Sequence, residues 1–514
     1  MPSRRTLKKQ FKSDNSNKDT PHWNDNKSHS ARQQHMHMAG QMPRELIRHI
    51  NPHMTELLTT PWFQTAREYF TNPPQINILM IETKEVELLN IISELREYVH
   101  NYPSTAAQTL SPGLAIGMPK NKDQDIRKIR SILDNINPKR ITRQQRRALR
   151  KYVEISPTGR ELLKDFYEKV VADGKIAPNM ELIFNPYTSL VNLAEIYAQC
   201  TEYSRIRYSV PELGIRDAQI HLYYPQSKRD EYLPPDSKWL PDALRRVCFF
   251  NQLLGTKKQP HAIHVFLADF RKEFMHVTGK ADLVFTPSEI NTGVCDMTDI
   301  IITRSEESLK TLLHELIHFH SLDLKHAAHD DFCAGLFNIT TEQSSFNLFE
   351  AHTECLASIL HCLTRAIPAN KSSNTAEFET VFKSLFISQI NYTIRKAAQI
   401  LATSGCDSYS EFVTPSDRDK CQLRENTNVF SYFFVKSFIY LGLRDWLSGC
   451  CDQRTARFLD TQRQQGGQQI LKQIIQEGYQ NPIIQKIIDA EIQKVNSKKT
   501  ISIADNSLKM VCVQ

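Results

Sequence analysis

The chain has 514 residues, of which 40% are hydrophobic and 24% are charged. This length predicts two to four domains or subdomains, and the composition is ordinary for a water-soluble globular protein. The sequence contains no run of 18 apolar residues, so we expect neither a membrane span nor a membrane partner. The polar, basic N-terminus and the eleven scattered cysteines, which suggest free thiols, argue against secretion. We therefore expect an intracellular, cytoplasmic protein.

The net charge of +7 is unevenly distributed along the chain. Residues 1–40 carry +5 and residues 120–151 carry +9, which leaves −7 on the remainder (+7 less +5 and +9). Two basic segments on a mildly acidic body are typical of a protein that contacts nucleic acid or another polyanion. A solvated tail and a charged helix face would give the same pattern. Both interpretations stay open at this point.

The first two hundred residues divide into a tail and a helical domain. Residues 1–40 are polar and poor in aliphatic side chains, so we expect a disordered basic tail. Residues 41–204 have mostly helical apolar spacing and predict a helical N-terminal domain. Within it, the spacing predicts a helix over residues 85–102, a loop over 104–120 and a strongly basic helix that begins at Thr142.

Between residues 205 and 325 the pattern changes to alternating strands and helices. Strands are predicted at residues 218–224, 261–267, 289–294 and 299–303, with a helix at 242–254. The residues from Thr303 to Glu306 form a capping-box pattern, which predicts that another helix starts there. We expect a small twisted mixed β-sheet that packs on this helix, as the upper subdomain of a site.

After residue 325 the sequence becomes almost wholly helical. Residues 326–342 predict a loop or short helix, and longer helices are predicted at residues 343–365, 376–404, 427–448 and 466–494. These helices form a predicted lower subdomain over residues 326–495, and residues 496–514 predict a loosely attached tail. The predicted fold class is α+β, in a mainly helical chain with one small sheet.

The motif with the clearest chemistry is His-Glu-x-x-His, which spans His314 to His318. Residues four apart lie on one face of a helix, so both imidazoles can bind one zinc ion at roughly 2.0–2.1 Å. Glu315 follows the first ligand, where its carboxylate can take a proton from an activated water molecule. An apolar stripe on the other side of the same helix would pack on the protein, formed by Leu309, Leu312, Leu313 and Leu316. We predict one Zn²⁺ per chain.

A catalytic zinc ion usually has three protein ligands, so a third must be found. A third histidine ten residues after His314 is excluded, because that position is Leu324. Glu350 is a stronger candidate, since it shares one face of a predicted helix with Glu354 and His361. Several nearer residues stay open as alternatives, namely His320, Asp323, His326, His329, Asp330 and Asp331.

Together, His314-Glu-x-x-His318 and the later Glu350-Ala-x-x-Glu354 resemble the gluzincin branch of zinc metallopeptidases, typified by thermolysin. The resemblance implies a zincin-like fold, Glu350 as the third ligand and Glu354 as the acceptor for the outer nitrogen of a ligand histidine. Two features depart from the family pattern. Glu354 stands where Asp is usual, and the 32 positions from His318 to Glu350 exceed the spacing in thermolysin. The whole chain also resembles predicted zinc peptidases of large DNA viruses, which would make a virion an alternative location.

The resemblance implies a metalloendopeptidase, in which an extended peptide pairs with an edge strand ahead of the motif helix. Residues 289–294 are the expected strand, with Asn291 as a polar contact. Family members stabilise the oxyanion with a Tyr or His of the lower subdomain, and the candidates here are Tyr432, Tyr440 and His361. Two alternatives stay open. One is a catalytically silent, zinc-containing nucleic-acid-binding or virion-associated structural protein, and the other is a zinc hydrolase with a non-peptide substrate.

Overall fold

The computed structural model describes residues 44–86, 88, 90–102, 122–137, 141–175, 188–273, 284–324, 330–341, 346–367, 375–413, 421–450, 463–497 and 507–512. Within these ranges the protein is mainly helical and contains a six-stranded mixed sheet, which confirms the predicted fold class. The predicted tail at residues 1–40 and the predicted loop at 104–120 lie outside the described residues. No helix in the described part of the chain is long and apolar enough to cross a lipid bilayer.

The elements ahead of the motif helix alternate between helices and sheet strands. They are α1 (Arg44–Thr59), α2 (Pro61–Thr71), β1 (Asn77–Glu85), α3 (Ile91–Asn101), α4 (Lys122–Asp134), α5 (Arg143–Leu149), a π-helix (Arg150–Ile155), α6 (Pro157–Ala172), α7 (Leu190–Gln199), β2 (Glu202–Val210), β3 (Ile215–Tyr224), α8 (Arg229–Tyr232), α9 (Trp239–Leu254), β4 (Ala262–Phe266), α10 (Pro287–Ile290), β5 (Gly293–Cys295) and β6 (Asp299–Ile302).

The remaining elements are helical apart from two short strands that pair with each other in parallel. They are α11 (Ser308–Phe319), α12 (Asp330–Leu336), β7 (Ile339–Thr341), α13 (Phe349–Ala366), α14 (Thr375–Thr403), α15 (Tyr409–Phe412), β8 (Leu423–Glu425), a second π-helix (Phe430–Val435), α16 (Lys436–Leu441), α17 (Leu443–Cys450), α18 (Arg463–Gly478) and α19 (Pro482–Ser497).

The six strands lie in the order β1-β2-β3-β4-β6-β5. The pairs β3–β4 and β4–β6 are parallel, whereas β1–β2, β2–β3 and β5–β6 are antiparallel. The first strand was not predicted, because residues 77–85 fall inside the segment that has mostly helical spacing. The helix predicted over 85–102 starts only at Ile91, where the Asn90 side chain accepts a hydrogen bond from the Ser93 N–H at 3.1 Å.

Alternation along the central strands divides the core between the two faces of the sheet. Ile263 and Val265 of β4 belong to the larger hydrophobic cluster, which also contains the apolar stripe of α11 and the helices α13 to α19. Phe266 faces a second cluster, built mainly by residues of α3 to α7. The hairpin α1–α2 packs in the larger cluster, although the helices that follow it in the chain, α3 to α7, build the second cluster.

The strand predicted over residues 289–294 is mostly absent. A short helix, α10, occupies residues 287–290 because Pro287 starts it and the Glu289 carboxylate accepts the Thr286 N–H at 3.1 Å. The edge strand β5 begins at Gly293, which leaves Asn291 in the connection between α10 and the strand.

The predicted start of the motif helix was also wrong. The helix α11 begins at Ser308, after Glu307 adopts a left-handed conformation with φ of 61°. The Thr303 hydroxyl donates to the Thr292 carbonyl at 3.0 Å, and the Glu306 carboxylate accepts the Lys272 N–H at 2.6 Å. These side chains therefore bind neighbouring segments instead of capping the helix.

Two features of the C-terminal third differ from the sequence expectations. The helix predicted over 466–494 is two helices, α18 and α19, and the second starts with Pro482 as its first residue. Cys406 and Cys421 form a disulfide, whereas free thiols were expected; the fold brings their Cα atoms to 4.6 Å across the loop that they close.

The predicted loose tail is wrong for residues 507–512, which dock into the body of the protein. Leu508 and Val511 are buried, and the N–H of Leu508 donates to the Lys272 carbonyl at 3.0 Å. This segment lies against the motif helix, where Met510 contacts the Lys310 side chain.

Candidate metal centre

The helices α11 and α13 bring three potential metal ligands together. The Nε2 atoms of His314 and His318 are 3.0 Å apart. The Oε2 atom of Glu350, in the first turn of α13, lies 3.2 Å from the first and 3.6 Å from the second. A tetrahedral ion with bonds of roughly 2.0–2.1 Å would separate its ligands by about 3.3 Å. The three atoms therefore fit one metal ion. Among the described residues, His314, His318 and Glu350 form the group of side chains that could hold such an ion.

A carboxylate on the outer side of each histidine fixes which nitrogen faces the ion. The Nδ1–H of His314 donates to Glu354 at 3.1 Å, and the Nδ1–H of His318 donates to Asp323 at 2.8 Å. When both rings are neutral, their Nε2 atoms carry lone pairs that face each other at 3.0 Å, and a bound cation would relieve this repulsion. The partner of His314 is the residue that the resemblance implied.

The nearer candidates for the third ligand do not reach this position. Asp323 lies on the outer nitrogen of His318, where it also accepts the Thr353 hydroxyl at 2.6 Å. The ring of His320 stacks on Phe250 with centroids 5.5 Å apart. Asp331 is exposed on α12. The remaining three candidates lie outside what the structure describes: residues 326 and 329 altogether, and residue 330 for its side chain.

Glu354 is the centre of a buried network behind the ligands. It accepts hydrogen bonds from Lys310, from Lys436 at 3.1 Å and from the Ser358 hydroxyl at 3.3 Å, besides that from His314. Burial alone would raise the pKa of this carboxyl, but Lys310, Lys436 and the His314 ring hold the pKa well below its usual value. Glu354 is therefore a permanent acceptor for the imidazole N–H.

The charged side chains around the two imidazoles do not balance without a cation. The carboxylates that line the cleft or contact the ligands are Glu315, Asp323, Glu350 and Glu354, and the ammonium groups among them are Lys310 and Lys436. With neutral imidazoles, these four negative and two positive charges sum to −2. The Lys272 ammonium also lines the cleft, but it is paired with Glu307 at 3.1 Å, so this pair leaves the sum unchanged. A divalent cation would neutralise the site, which is the condition under which buried charges become tolerable.

The carboxylates and imidazoles of the site shift one another's pKa values. Burial lowers the pKa of His314, but its hydrogen bonds to Glu350 and Glu354 outweigh burial and raise the pKa above its usual value. For His318, too, burial is outweighed, by the Glu350 charge and the Asp323 hydrogen bond, so the pKa rises well above the ordinary range. Burial would raise the pKa of Glu350, yet the two imidazoles hold it well below its usual value.

Glu315 lines the same cleft as the three potential ligands. Its carboxylate faces the cleft between α11 and β5, and burial raises its pKa above the usual value. The close approach of β5 depends on Gly293, because a Cβ at this position would lie 2.7 Å from Thr311 Cγ2 and 2.8 Å from the carboxyl carbon of Glu315. A raised pKa suits a carboxyl group that accepts and returns a proton near neutral pH.

Of the three oxyanion candidates, the structure brings only Tyr432 to the ligands. Its hydroxyl donates to Glu350 at 3.1 Å, and its ring lies 6.0 Å from that of His314. Tyr440 packs in the core against Phe386, and His361 is buried further along α13. Neither of these two is among the described residues that line the cleft.

The cleft itself has a volume of about 320 Å³ and runs between the edge strand β5 and the motif helix. Asn291 lies in its wall, but in the connection ahead of β5 and not on the strand, and its amide oxygen accepts the Thr427 hydroxyl at 2.9 Å. Met510 of the docked C-terminal segment also lines the cleft. Sequence reasoning missed Asp323 as a histidine partner and missed Lys310, Lys436 and Met510 entirely. Lys436 left one signal, since it is the lone cation in an aromatic stretch.

Comparison with known proteins adds no relative. The chain matches no protein-family model, no curated protein and no solved structure. The resemblance to the gluzincins therefore rests on the motif residues alone.

Proposed function

We propose that the protein is a zinc-dependent metallopeptidase. The observation that carries the proposal is the convergence of His314, His318 and Glu350 beside the buried carboxylate of Glu315. Two imidazoles and one carboxylate are the ligand set of many catalytic zinc sites, and this set leaves a coordination position for water or substrate. The carboxylates on both outer nitrogens support the ligand role, because they orient the rings and strengthen them as ligands.

The proposed mechanism divides the work among side chains that already lie in place. A zinc ion bound there would polarise the carbonyl of the peptide bond and lower the pKa of a water molecule. Glu315 takes the proton from the attacking water and passes it to the departing amine, so that the two product termini form. Tyr432 donates its hydroxyl hydrogen to the carbonyl oxygen as negative charge develops on it. Glu354 and Asp323 keep the two imidazoles in orientation.

The edge strand supports a peptide as the substrate. The Thr303 N–H donates to the Thr292 carbonyl at 2.7 Å, and Val294 is paired with Ile301 on β6. Because backbone groups alternate along a strand, Gly293 and Cys295 direct theirs away from β6, to the open edge of the sheet. An extended peptide can pair with these groups by β-augmentation and so lie along the cleft.

A polyanion partner has less support from the structure. Several basic side chains of residues 120–151 are engaged inside the protein: Arg146 with Glu195 at 3.0 Å, and Arg150, which is buried, with Glu289 at 2.8 Å. Arg130 donates to the Val99 carbonyl at the end of α3, at 2.9 Å. The exposed basic residues described in this segment are Arg127, Lys128, Arg147 and Lys151.

The decisive experiment combines metal content with peptide cleavage. We expect one zinc ion per chain in the wild type by mass spectrometry, and strongly reduced content in His318→Ala and Glu350→Ala. His320→Ala is the matched control, since it removes a histidine that directly follows the same helix and whose ring stacks on Phe250. A peptide library should be cut by the wild type and left intact by Glu315→Gln, which keeps the metal. Zinc binding without any cleavage would favour the catalytically silent alternative, and cleavage by Glu315→Gln would exclude the proposed base.

A further inference from the structure

Residues 507–512 are more firmly attached than their position in the chain suggests. Leu508, Met510 and Val511 are each at most 4% exposed. The Val511 N–H donates to Glu307 at 2.7 Å, immediately before α11 begins. Gln389 of α14 binds the segment twice: its amide donates to the Met510 carbonyl at 2.7 Å and accepts the Cys512 N–H at 2.9 Å.

The same segment contacts the two lysines that lie behind the ligands. The Lys436 ammonium donates to the Met510 carbonyl at 3.1 Å, and the Lys310 ammonium lies 3.4 Å from the Met510 sulfur. Each lysine also donates to a different oxygen of Glu354. Met510 is therefore one contact away from the carboxylate that holds the His314 ring.

The arrangement is demanding because two buried ammonium groups share one buried carboxylate. A buried ammonium needs acceptors for its hydrogens, and leaving one of them without an acceptor is unfavourable. Without Met510, Lys436 would lose one of its two observed acceptors, and Lys310 would lose its sulfur contact. Both side chains would then turn towards water, and Glu354 would lose the partners that fix its position.

We propose that residues 507–512 are a positioning element of the metal centre, which holds Lys310 and Lys436 on Glu354 so that Glu354 orients His314. This inference rests on the metal-binding part of the proposed function and adds a regulatory consequence. Displacement of the segment weakens the hold of Glu354 on the outer nitrogen of His314, although no residue of the segment is itself a proposed metal ligand. Metal affinity then depends on whether the segment is docked.

The test is the affinity for Co²⁺, read from its visible absorption and from competition with a chelator. A chain that ends at Asn506 should bind Co²⁺ about 10- to 100-fold more weakly than the wild type, the usual effect of losing an outer partner. Its absorption spectrum should also change, because the geometry of the His314 ligand relaxes. A synthetic peptide of residues 505–514, added in excess, should restore both affinity and spectrum.

Two full-length variants keep the test independent of the truncation. Lys436→Met removes an ammonium group of the network, and Gln389→Leu removes both side-chain bonds to the segment; each should weaken Co²⁺ binding. Truncation in the Lys436→Met background should add much less than it does in the wild type, because both changes act on Glu354. Lys486→Met is the matched control: its exposed ammonium pairs with Glu45 at 3.0 Å, away from the segment and from Glu354, so affinity should not change.

The possible outcomes separate this inference from the proposed function. Unchanged Co²⁺ affinity in the folded truncated chain, or fully additive effects with Lys436→Met, overturns the positioning role even if peptides are cleaved. If the truncated chain does not fold, unchanged affinity in both full-length variants overturns it instead. A third outcome is that truncation weakens Co²⁺ binding and the synthetic peptide restores it, while the wild type cleaves no peptide substrate. This outcome supports the positioning role and excludes the proposed peptidase activity. A wild type that binds no Co²⁺ overturns both.

Discussion

In the part of the chain that the structure describes, two pairs of neighbouring histidines flank the central sheet, and one of these pairs is a candidate metal site. His314 and His318 on α11 have ring centroids 4.7 Å apart and lie on the face of the sheet that the motif helix covers. His221 of β3 and His264 of β4 are direct neighbours in the sheet, with centroids 4.6 Å apart, on the opposite face. The two pairs are equally close, so proximity alone does not make a metal site.

Ring orientation is the first difference between the pairs. The planes of His314 and His318 cross at 72°, which lets both Nε2 lone pairs point at one position. The planes of His221 and His264 differ by only 27°, so the rings stack. Imidazole lone pairs lie in the ring plane, and those of stacked rings do not converge on a common ion.

The surrounding charge is the second difference. Each ring of the α11 pair donates to a carboxylate, whereas His221 contacts the Tyr203 hydroxyl at 2.8 Å. In the described structure neither ring nitrogen of His264 has a hydrogen-bond partner. Burial accordingly lowers the pKa of both sheet histidines to about 4, the opposite direction from that of the α11 pair. Carboxylates that accept from the rings thus prepare the α11 pair for a cation, whereas the sheet pair has no such bond in the described structure and stays neutral near pH 7.

The strongest test of this comparison is to remove one histidine from each pair. His318→Ala should lower metal affinity by more than ~100-fold, since losing a ligand costs more than losing an outer partner. His264→Ala should leave metal content unchanged, although it opens a small cavity in the sheet. Equilibrium dialysis against Zn²⁺ followed by mass spectrometry measures both. Loss of the metal from His264→Ala would show that the sheet pair also binds an ion.

A smaller effect should follow when the carboxylates are neutralised and the ligands are kept. Asp323→Asn and Glu354→Gln should each weaken metal binding by about 10- to 100-fold, because the imidazoles lose their orientation and part of their basicity. Asp331→Asn is the control, since this exposed residue lies outside the site. Chelator competition gives the affinities. Wild-type affinity in both variants would mean that ring geometry alone, and not charge, distinguishes the two pairs.

The parts of the site that sequence could predict are those fixed by local geometry. The spacing of His314 and His318 guarantees a shared helix face, and helical periodicity placed Glu350 on the inner face of α13. Asp323 follows α11 in a loop, and its use as a histidine partner depends on how the chain turns there. Lys310 and Met510 meet across two hundred positions of the chain, which no local pattern encodes.

In the fold, too, features set by local spacing were predictable and features set by distant contacts were not. The fold class, the strands β3, β4 and β6 and the long helix α14 followed from periodicity, whereas β1 and β2, which pair across more than a hundred residues, were both missed. Three oxyanion candidates were equivalent in sequence, and the placement of the π-helix at residues 430–435 brings only Tyr432 to Glu350. The capping-box pattern gave the wrong helix start because the Glu306 side chain binds the backbone N–H of Lys272 instead of capping the helix.

The smallest expected effect is a loss of folding stability at low pH, caused by the two sheet histidines. His264 has a folded-state pKa of about 4 against 6.5 when unfolded, so between these values the unfolded chain binds more protons. Stability should therefore fall as pH drops from 6.5 towards 4, by up to about 1.4 kcal/mol per pH unit for one group. His264→Phe keeps a ring for stacking but cannot bind a proton, so its unfolding free energy should decline less between pH 7 and pH 4.5. His100→Ala is the control, since that side chain is 48% exposed on α3 and lies outside the sheet pair. Equal declines in wild type and His264→Phe would mean that the buried ring titrates normally, and the contrast between the two pairs would then rest on ring geometry alone.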